Sequence, residues 1–311
     1  EYLTRKPLLS DRERPAAADL ARRASDLGAD AVLVQDLGVL RAVKQAAPDL
    51  PLHASTQMTV HNLDGVKVCA DLGMTRAVLS RELSAEAIGY ICDHSPIEIE
   101  VFGHGALCMC YSGQCYFSAV VGERSGNRGL CAQPCRMKYG WGGKPDGYPL
   151  SLKDMCLADR VRQLRKLGVA CLKLEGRMKR PEYVAVITRI YASLIKEDRM
   201  PTAGELRDLE TAFSRNGFTQ DYFDGKKGPQ MFGTRDEKTP EPKELFAQAR
   251  QTYENQERSR VDVKFYAMLR PGEPVRVGVE DPDGRVVTAA GDVPEAAQNF
   301  TSTPEQVEQP L

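Results

Sequence analysis

The 311-residue chain is poor in several things at once. It carries one tryptophan, four histidines and a net charge of −1. With 42 basic against 43 acidic side chains, no field of one sign surrounds it, so a surface for nucleic acid has to be local rather than global. No apolar run approaches the roughly 20 residues that cross a bilayer, and the opening Glu1-Tyr-Leu-Thr-Arg-Lys-Pro7 has none of the apolar core of a secretory signal. The zinc-peptidase H-E-x-x-H, the hydrolase G-x-S-x-G, the P-loop and the dinucleotide fingerprint are all absent. Nine cysteines, an odd number in a chain of this length, argue against a secreted disulfide framework. The expectation is a cytoplasmic protein whose cysteines are reduced or bind metal, with no membrane partner.

What is present is a repeated alternation. Short apolar runs at 30–35, 52–55, 76–80, 97–102, 148–152 and 169–174 read as buried strands, with a further short strand at 2–4. Amphipathic helical stretches lie between them, at 13–27, 37–47, 61–72 and 84–92, from Asp154 to Leu167, and from Pro181. Repeated β-α units imply a parallel sheet. Polar residues recur just after the strands, as in Gln35-Asp36, Ser55-Thr-Gln57, Ser80-Arg-Glu82 and His104, and again from Lys173 to Arg177. That is where barrel enzymes build their sites. The fold expected is α/β, a (β/α)8 TIM-like barrel that lacks its first units, followed by a small mixed or β C-terminal domain. The expected divisions are a partial barrel at 1–198, a helical, Gly-rich and basic connector at 199–257, and an incomplete β domain at 258–311. Strands are expected at 261–269, 275–279 and 285–289, with turns at Pro271-Gly and Asp283-Gly. The last residues, 306–311, read as the start of a helix, and both ends read as those of a fragment.

Cys108, Cys115, Cys131 and Cys135 stand in one glycine-rich stretch with the spacing C-x6-C-x15-C-x3-C. Four such thiols can ligate zinc or a 4Fe–4S cluster, or remain buried reduced cysteines. Structural zinc usually takes two close C-x2–4-C pairs, and only Cys131/Cys135 is one, so the spacing tilts toward the cluster. Cys110 is a possible substitute ligand, whereas Cys69, Cys92, Cys156 and Cys171 sit in apolar contexts that read as core. His104, four residues before the first cysteine, stands at a strand end, where it is either a satisfied polar residue or a proton carrier. Lys173 and Glu175 share a strand face, and with Arg177 they form either an anion site or an ion-pair network.

These residues resemble the collagenase-like peptidase family, number thirty-two of the unassigned peptidases. Its signature matches at Glu100, Phe102, Gly105, Leu107, Cys108, Cys115, Phe117 and Ser118. Further matches are L-H-A-S-T-Q at 52–57, C-x3-C-R at 131–136 and K-L-E-G-R at 173–177, and the stretch 213–233 is similar to the longer members, which carry an extra C-terminal domain and include a modifier of ribosomal RNA. The resemblance implies an iron–sulfur enzyme that hydroxylates a pyrimidine in RNA without oxygen, with ribosomal RNA ahead of transfer RNA and prephenate as an anionic co-substrate. It implies Cys108, Cys115, Cys131 and Cys135 as cluster ligands. Chemistry and position suggest His104 and Glu175 as catalytic residues, with Lys173, Arg177, Arg136 and Gln57 binding substrate. A collagenase-like peptidase and an RNA-binding module with structural zinc are the alternatives.

Overall fold

The computed structural model describes residues 2–5, 8–140, 142, 147–236, 238–254, 262–270 and 272–293. They fall into two compact units, Glu1–Glu254 and Asn255–Leu311. The first opens with four β-α repeats and a fifth strand. β1 (Tyr2–Arg5), β2 (Ala31–Val34), β3 (Leu52–Ala54), β4 (Arg76–Val78) and β5 (Glu98–Ala106) are separated by α1 (Arg14–Asp26), α2 (Leu37–Ala46), α3 (Leu63–Asp71) and α4 (Ala85–His94). All five strands are parallel and pair in chain order. Every residue of β2 and β3 is buried, as strands covered on both faces must be.

Side-chain oxygens start the helices. Asp36 accepts from the Val39 amide, Asn62 from Gly65 and Ser84 from Ala87, each satisfying a donor that the first turn leaves open.

After α5 (Phe117–Gly122) the chain forms β6 (Asp154–Cys156), α6 (Val161–Lys166), β7 (Cys171–Leu174) and α7 (Pro181–Glu197). Then come α8 (Ala203–Ala212), the two-residue β8 (Phe218–Thr219) and α9 (Lys243–Glu254). α8 begins with a capping box between Thr202 and Glu205. α7 buries Tyr183, Val186, Ile187, Ile190, Tyr191 and Leu194, the 3.6-residue stripe that the sequence shows. Truncating Ile190 or Leu194, each 1% exposed, to alanine would cost about 2–5 kcal/mol.

β5 organises the site because it has three partners. Its first half pairs in parallel with β4 on one side and β7 on the other. Its last three residues pair with β6, antiparallel, with His104 opposite Cys156. The register shifts between Phe102 and His104. There the Gly103 carbonyl leaves the ladder and accepts from Tyr191 Oη at 2.8 Å and from the Leu157 amide at 2.9 Å. β8 then pairs in parallel with β6.

The result is a mixed α/β fold with a largely parallel sheet of eight strands, β1 and β8 standing at the ends of its pairing order. The strand expected at 148–152 is corrected. That stretch is a turn followed by a single bridge between Leu152 and Phe232, and the strand is β6, which starts two residues after the bridge. The helix expected from Asp154 therefore starts at Val161, after a single tight turn at Ala158–Arg160.

The second unit holds a three-stranded antiparallel sheet of β9 (Lys264–Met268), β10 (Arg276–Glu280) and β11 (Val286–Ala290). Gly272 and Gly284 turn the chain at φ +80° and +79°. Of the sequence expectations, Val261, Pro271, the end of the connector at 255–257 and the terminal helix at 306–311 lie outside the described residues. Among the described residues no helix is long and apolar enough to cross a membrane.

Candidate active site

The stretch after β5 carries Cys108 and Cys115 and is tied to the loops that follow β3 and β4. A Cβ at Gly113 would run into the Gln57 carbonyl and stand 2.8 Å from Thr59 Oγ1, and its φ is +82°. Glycine is therefore required there. Thr59 Oγ1 donates to the Ser112 carbonyl at 2.9 Å, and the Ser112 amide and hydroxyl both donate to Glu82 Oε1, at 3.0 and 3.1 Å.

Cys131 and Cys135 are tied to the two ends of that stretch and to the residues before β6. The Ala132 amide donates to Ser118 Oγ at 2.8 Å, and Ser118 is buried. Arg136, next to Cys135, clamps three acceptors: Leu107 O and Leu152 O, each at 2.5 Å, and Ser151 Oγ at 3.1 Å. The sequence suggested Arg136 as a substrate contact. The structure instead gives its donors to the backbone on both sides of the β5–β6 pair.

The four thiols share one neighbourhood. Cys135 feels Cys108, Cys131 and Cys115, and Cys108 in turn feels Cys115. Burial pushes the Cys108 and Cys135 thiols up from their ordinary value, while the nearby Arg136 opposes it at both and Arg81 at Cys108. Arginines placed so favour thiolates, the form that binds metal. The Gln133 amide donates to Cys131 Sγ at 3.3 Å, a hydrogen bond to sulfur of the kind that tunes sulfur-ligated centres. Gly126 fits between Cys131 and the Cys115 carbonyl.

This donor set suits an iron–sulfur cluster: four cysteines, two nearby cations and an amide on sulfur. Among the described residues, no three His, Cys, Asp or Glu side chains converge on a point where one ion would sit. Cys110 feels Cys115 and Cys108 and lies beside the set.

Around the thiols lies a polar mouth. Arg81 Nη2 pairs with Glu175 Oε2 at 3.1 Å, and the Arg81 guanidinium lies 3.6 Å over the Phe102 ring. Glu175 Oε1 accepts from the Arg177 amide at 3.0 Å. A Cβ at Gly105, φ +112°, would come within 2.7 Å of Glu175, so β5 and the end of β7 touch there. Four buried atoms of this rim have no hydrogen-bond partner: Gln57 Oε1, Ser80 Oγ, Arg81 Nε and Glu82 Oε2. Buried polar atoms left without a partner are ones that a water or a ligand group would complete.

The side chains of the other residues suggested by the sequence are engaged with other partners. Lys173 Nζ is held by the buried Glu100 at 3.0 Å, with Arg76 on the same carboxylate at 3.6 Å, so it belongs to an ion-pair network. The Arg177 side chain donates to the Gly129 carbonyl and pins the loop before Cys131. His104 is 1% exposed, inside a cage of Tyr183, Tyr191 and Phe218. Its Nδ1 meets Tyr191 Oη at 3.3 Å, and Nε2 has no partner. Burial, helped by Lys179, holds its pKa down at about 3, so it is neutral near pH 7.

A second cluster went unread in the sequence. Asp154, at the start of β6, takes Arg215 Nη1 on both oxygens, at 2.7 and 2.8 Å. Beside the pair, Phe213 carries Lys179 Nζ 2.7 Å from its centroid, with the Arg235 and Arg215 guanidiniums at 4.7 and 4.9 Å. The basic, Gly-rich character of the segment holding Arg215 and Arg235 was the available signal.

Comparison with known proteins decides the family. The model of "Peptidase family U32" matches residues 2–232. The chain belongs to peptidase family U32. Among similar proteins, a tRNA hydroxylation protein P1 of Bacillus subtilis is 30% identical over 258 residues, covering 76% of this chain and 61% of that one. A 23S rRNA 5-hydroxycytidine synthase of Escherichia coli is 38% identical over 200 residues, covering 62% and 30%. A protein named collagenase from Porphyromonas gingivalis is 29% identical over 251 residues, covering 73% and 60%. The chain thus spans less than two thirds of each. A solved U32 peptidase, Mk0906, aligns at 23% identity with a TM-score of 0.27, over 32% of this chain and 40% of that one.

Proposed function

We propose that this chain is the catalytic part of an iron–sulfur enzyme that hydroxylates a pyrimidine in RNA. The observation that carries it is the neighbourhood of Cys135, which holds Cys108, Cys115 and Cys131, beside a polar mouth at the end of β5. Support comes from relatives named for hydroxylation of transfer RNA and for a 5-hydroxycytidine of ribosomal RNA. Cys108, Cys115, Cys131 and Cys135 hold a 4Fe–4S cluster, which when bound supplies one-electron chemistry at the mouth.

The chain's own residues then place the base. Gln57, Ser80 and Glu82 offer unpaired polar atoms to its edge. Arg81 fixes one Glu175 oxygen, and Glu175 is the group that moves a proton. The buried His104 orders the β5–α7 contact through Tyr191 instead. Ribosomal RNA is the first target to test and transfer RNA the second, with prephenate as the small anionic co-substrate and the cytoplasm as the setting.

The test is anaerobic purification with iron, sulfide and zinc measured, together with nucleoside analysis of both RNA fractions from a deletion strain. Iron and sulfide in equal amounts and one missing hydroxylated pyrimidine are expected. Colourless protein with one zinc and no sulfide would point to the structural-zinc module instead. Cys108→Ser combined with Cys131→Ser should abolish iron binding, while Cys110→Ser should retain it. Full iron in the double variant would overturn the ligand assignment.

The relative named collagenase favours a second reading, proteolysis. It requires metal-free protein to cut gelatin, and intact gelatin removes it.

A further inference from the structure

Four cations meet near the start of β6: Arg136, Lys179, Arg215 and Arg235. One carboxylate faces them, Asp154, and it is already paired with Arg215. Arg136 also has the Cys135 and Cys108 thiols beside it, which leaves Lys179 and Arg235 without a paired carboxylate in a partly buried space. Such an arrangement is unfavourable unless an anion completes it.

The geometry is that of a socket. The Phe213 ring is its floor, with Lys179, Arg215 and Arg235 around it. Among the described residues neither Lys179 nor Arg235 pairs with a carboxylate, and the Arg235 side chain donates only to the Ser214 carbonyl, at 3.3 Å. Arg215 uses Nη1 on Asp154, and its Nε and Nη2 make no protein hydrogen bond among the described residues. A further polar atom nearby lacks a partner. His104 Nε2 is buried in a ring that contacts Tyr183 at 6.3 Å, and Lys179 lies 5.6 Å from the same tyrosine ring.

We propose that Lys179, Arg215 and Arg235 form a pocket for a small oxyanion, a carboxylate or a phosphate group, held over Phe213. Burial decides between a small molecule and a polymer. Arg215 is 7% exposed, and Lys179 and Arg235 are half-buried. Cations that track a nucleic-acid backbone line an exposed groove. The pocket deepens the hydroxylase reading, on which it rests only for the physiological occupant, a small anionic co-substrate. The socket itself is independent of the cysteines.

The pocket has a pH signature. Burial, then Arg215, Arg235 and Arg136, hold Lys179 down to about 7, against the pull of Asp154. Facing it are Phe213 and Arg215 from the stretch between α8 and β8, Arg235 from before α9, and Tyr183 from α7. Asp154 on β6, Arg136 beside Cys135 and His104 on β5 complete the surroundings. Lysine is charged below its pKa, so anion affinity falls as pH rises through about 7.

The experiment is calorimetric titration of the anaerobically purified full chain at low salt and pH 6.5, with malonate and with inorganic phosphate as probes. Saturable one-site binding of at least one probe is expected, the tighter probe naming the group. Lys179→Met and Arg235→Gln should each weaken it tenfold or more, and Lys179→Arg should restore most of it. Thermal melts confirm folding; should Lys179→Met not fold, Lys179→Arg and Arg235→Gln carry the comparison. No saturable binding, or unchanged affinity in folded Arg235→Gln and Lys179→Met, overturns the proposal. So does a short single-stranded oligoribonucleotide that binds through Lys179 when neither small probe does. Iron content and RNA nucleosides, which test the hydroxylase reading, are not read in this assay.

Discussion

Gly113 gives the sharpest test of how the cysteine loop is held. Replacing it with alanine has two separable costs. At φ +82° a side chain is strained by about 1–2 kcal/mol. The new methyl would also collide with the backbone after β3, at the Gln57 carbonyl carbon (2.8 Å), and would meet the Thr59 side chain at Oγ1 (2.8 Å). Backbone cannot swing aside as a side-chain tip can, and overpacking of that sort adds about 1–3 kcal/mol. The total for Gly113→Ala is about 2–5 kcal/mol.

Gly129 supplies the control. Its φ is +80°, yet a Cβ there meets nothing within 4 Å. Gly129→Ala should therefore cost only the backbone part, about 1–2 kcal/mol. Urea unfolding of both variants measures the difference, with iron content after anaerobic purification as a second readout. Gly113→Ala should be the less stable by about 1–3 kcal/mol and should hold less iron. Equal midpoints and equal iron would refute the idea that close approach to the β3 loop sets the position of Cys108 and Cys115.

Two further outcomes are expected. Arg136→Lys keeps the charge but cannot reach Leu107, Leu152 and Ser151 together, so it should cost about 2–4 kcal/mol in denaturant unfolding and lower iron content; wild-type stability would show the clamp to be idle. His104 has a folded pKa of about 3 against an ordinary 6.5, so the unfolded chain takes the proton first and stability is lost as pH falls below 6.5. The loss from this group is about 2 kcal/mol by pH 5, and His104→Gln should flatten the stability curve over that interval, whereas parallel curves for the two proteins would refute a buried neutral imidazole.

The β-α alternation was legible because strands covered on both faces are written as local apolar runs, and 30–35, 52–55 and 76–80 sit where the pattern put them. β6 was not legible. Asp-Met-Cys has no strand signature, and those residues are extended because the end of β5 offers them an antiparallel partner some fifty positions earlier. The same limit governed the cations. Lys173, Glu175 and Arg177 are close in sequence and drew notice, yet Lys173 is neutralised by Glu100 on the neighbouring strand. Lys179 and Phe213 meet from 34 positions apart, and Asp154 and Arg215 from 61, and no local periodicity records such pairs. The four cysteines were legible as a set because their spacing is short, but which backbone holds each pair was not.

That last arrangement has a mechanical consequence. Cys108 and Cys115 ride on a loop fastened to the segments after β3 and β4, whereas the stretch with Cys131 and Cys135 is fastened by Arg136 across β5 and β6. Anything held by all four sulfurs is therefore a further rivet between two flaps that Ser118–Ala132 and Arg136–Leu107 already link. Occupancy adds to the rigidity of the mouth, and chelation would loosen the flaps without unfolding the sheet beneath them.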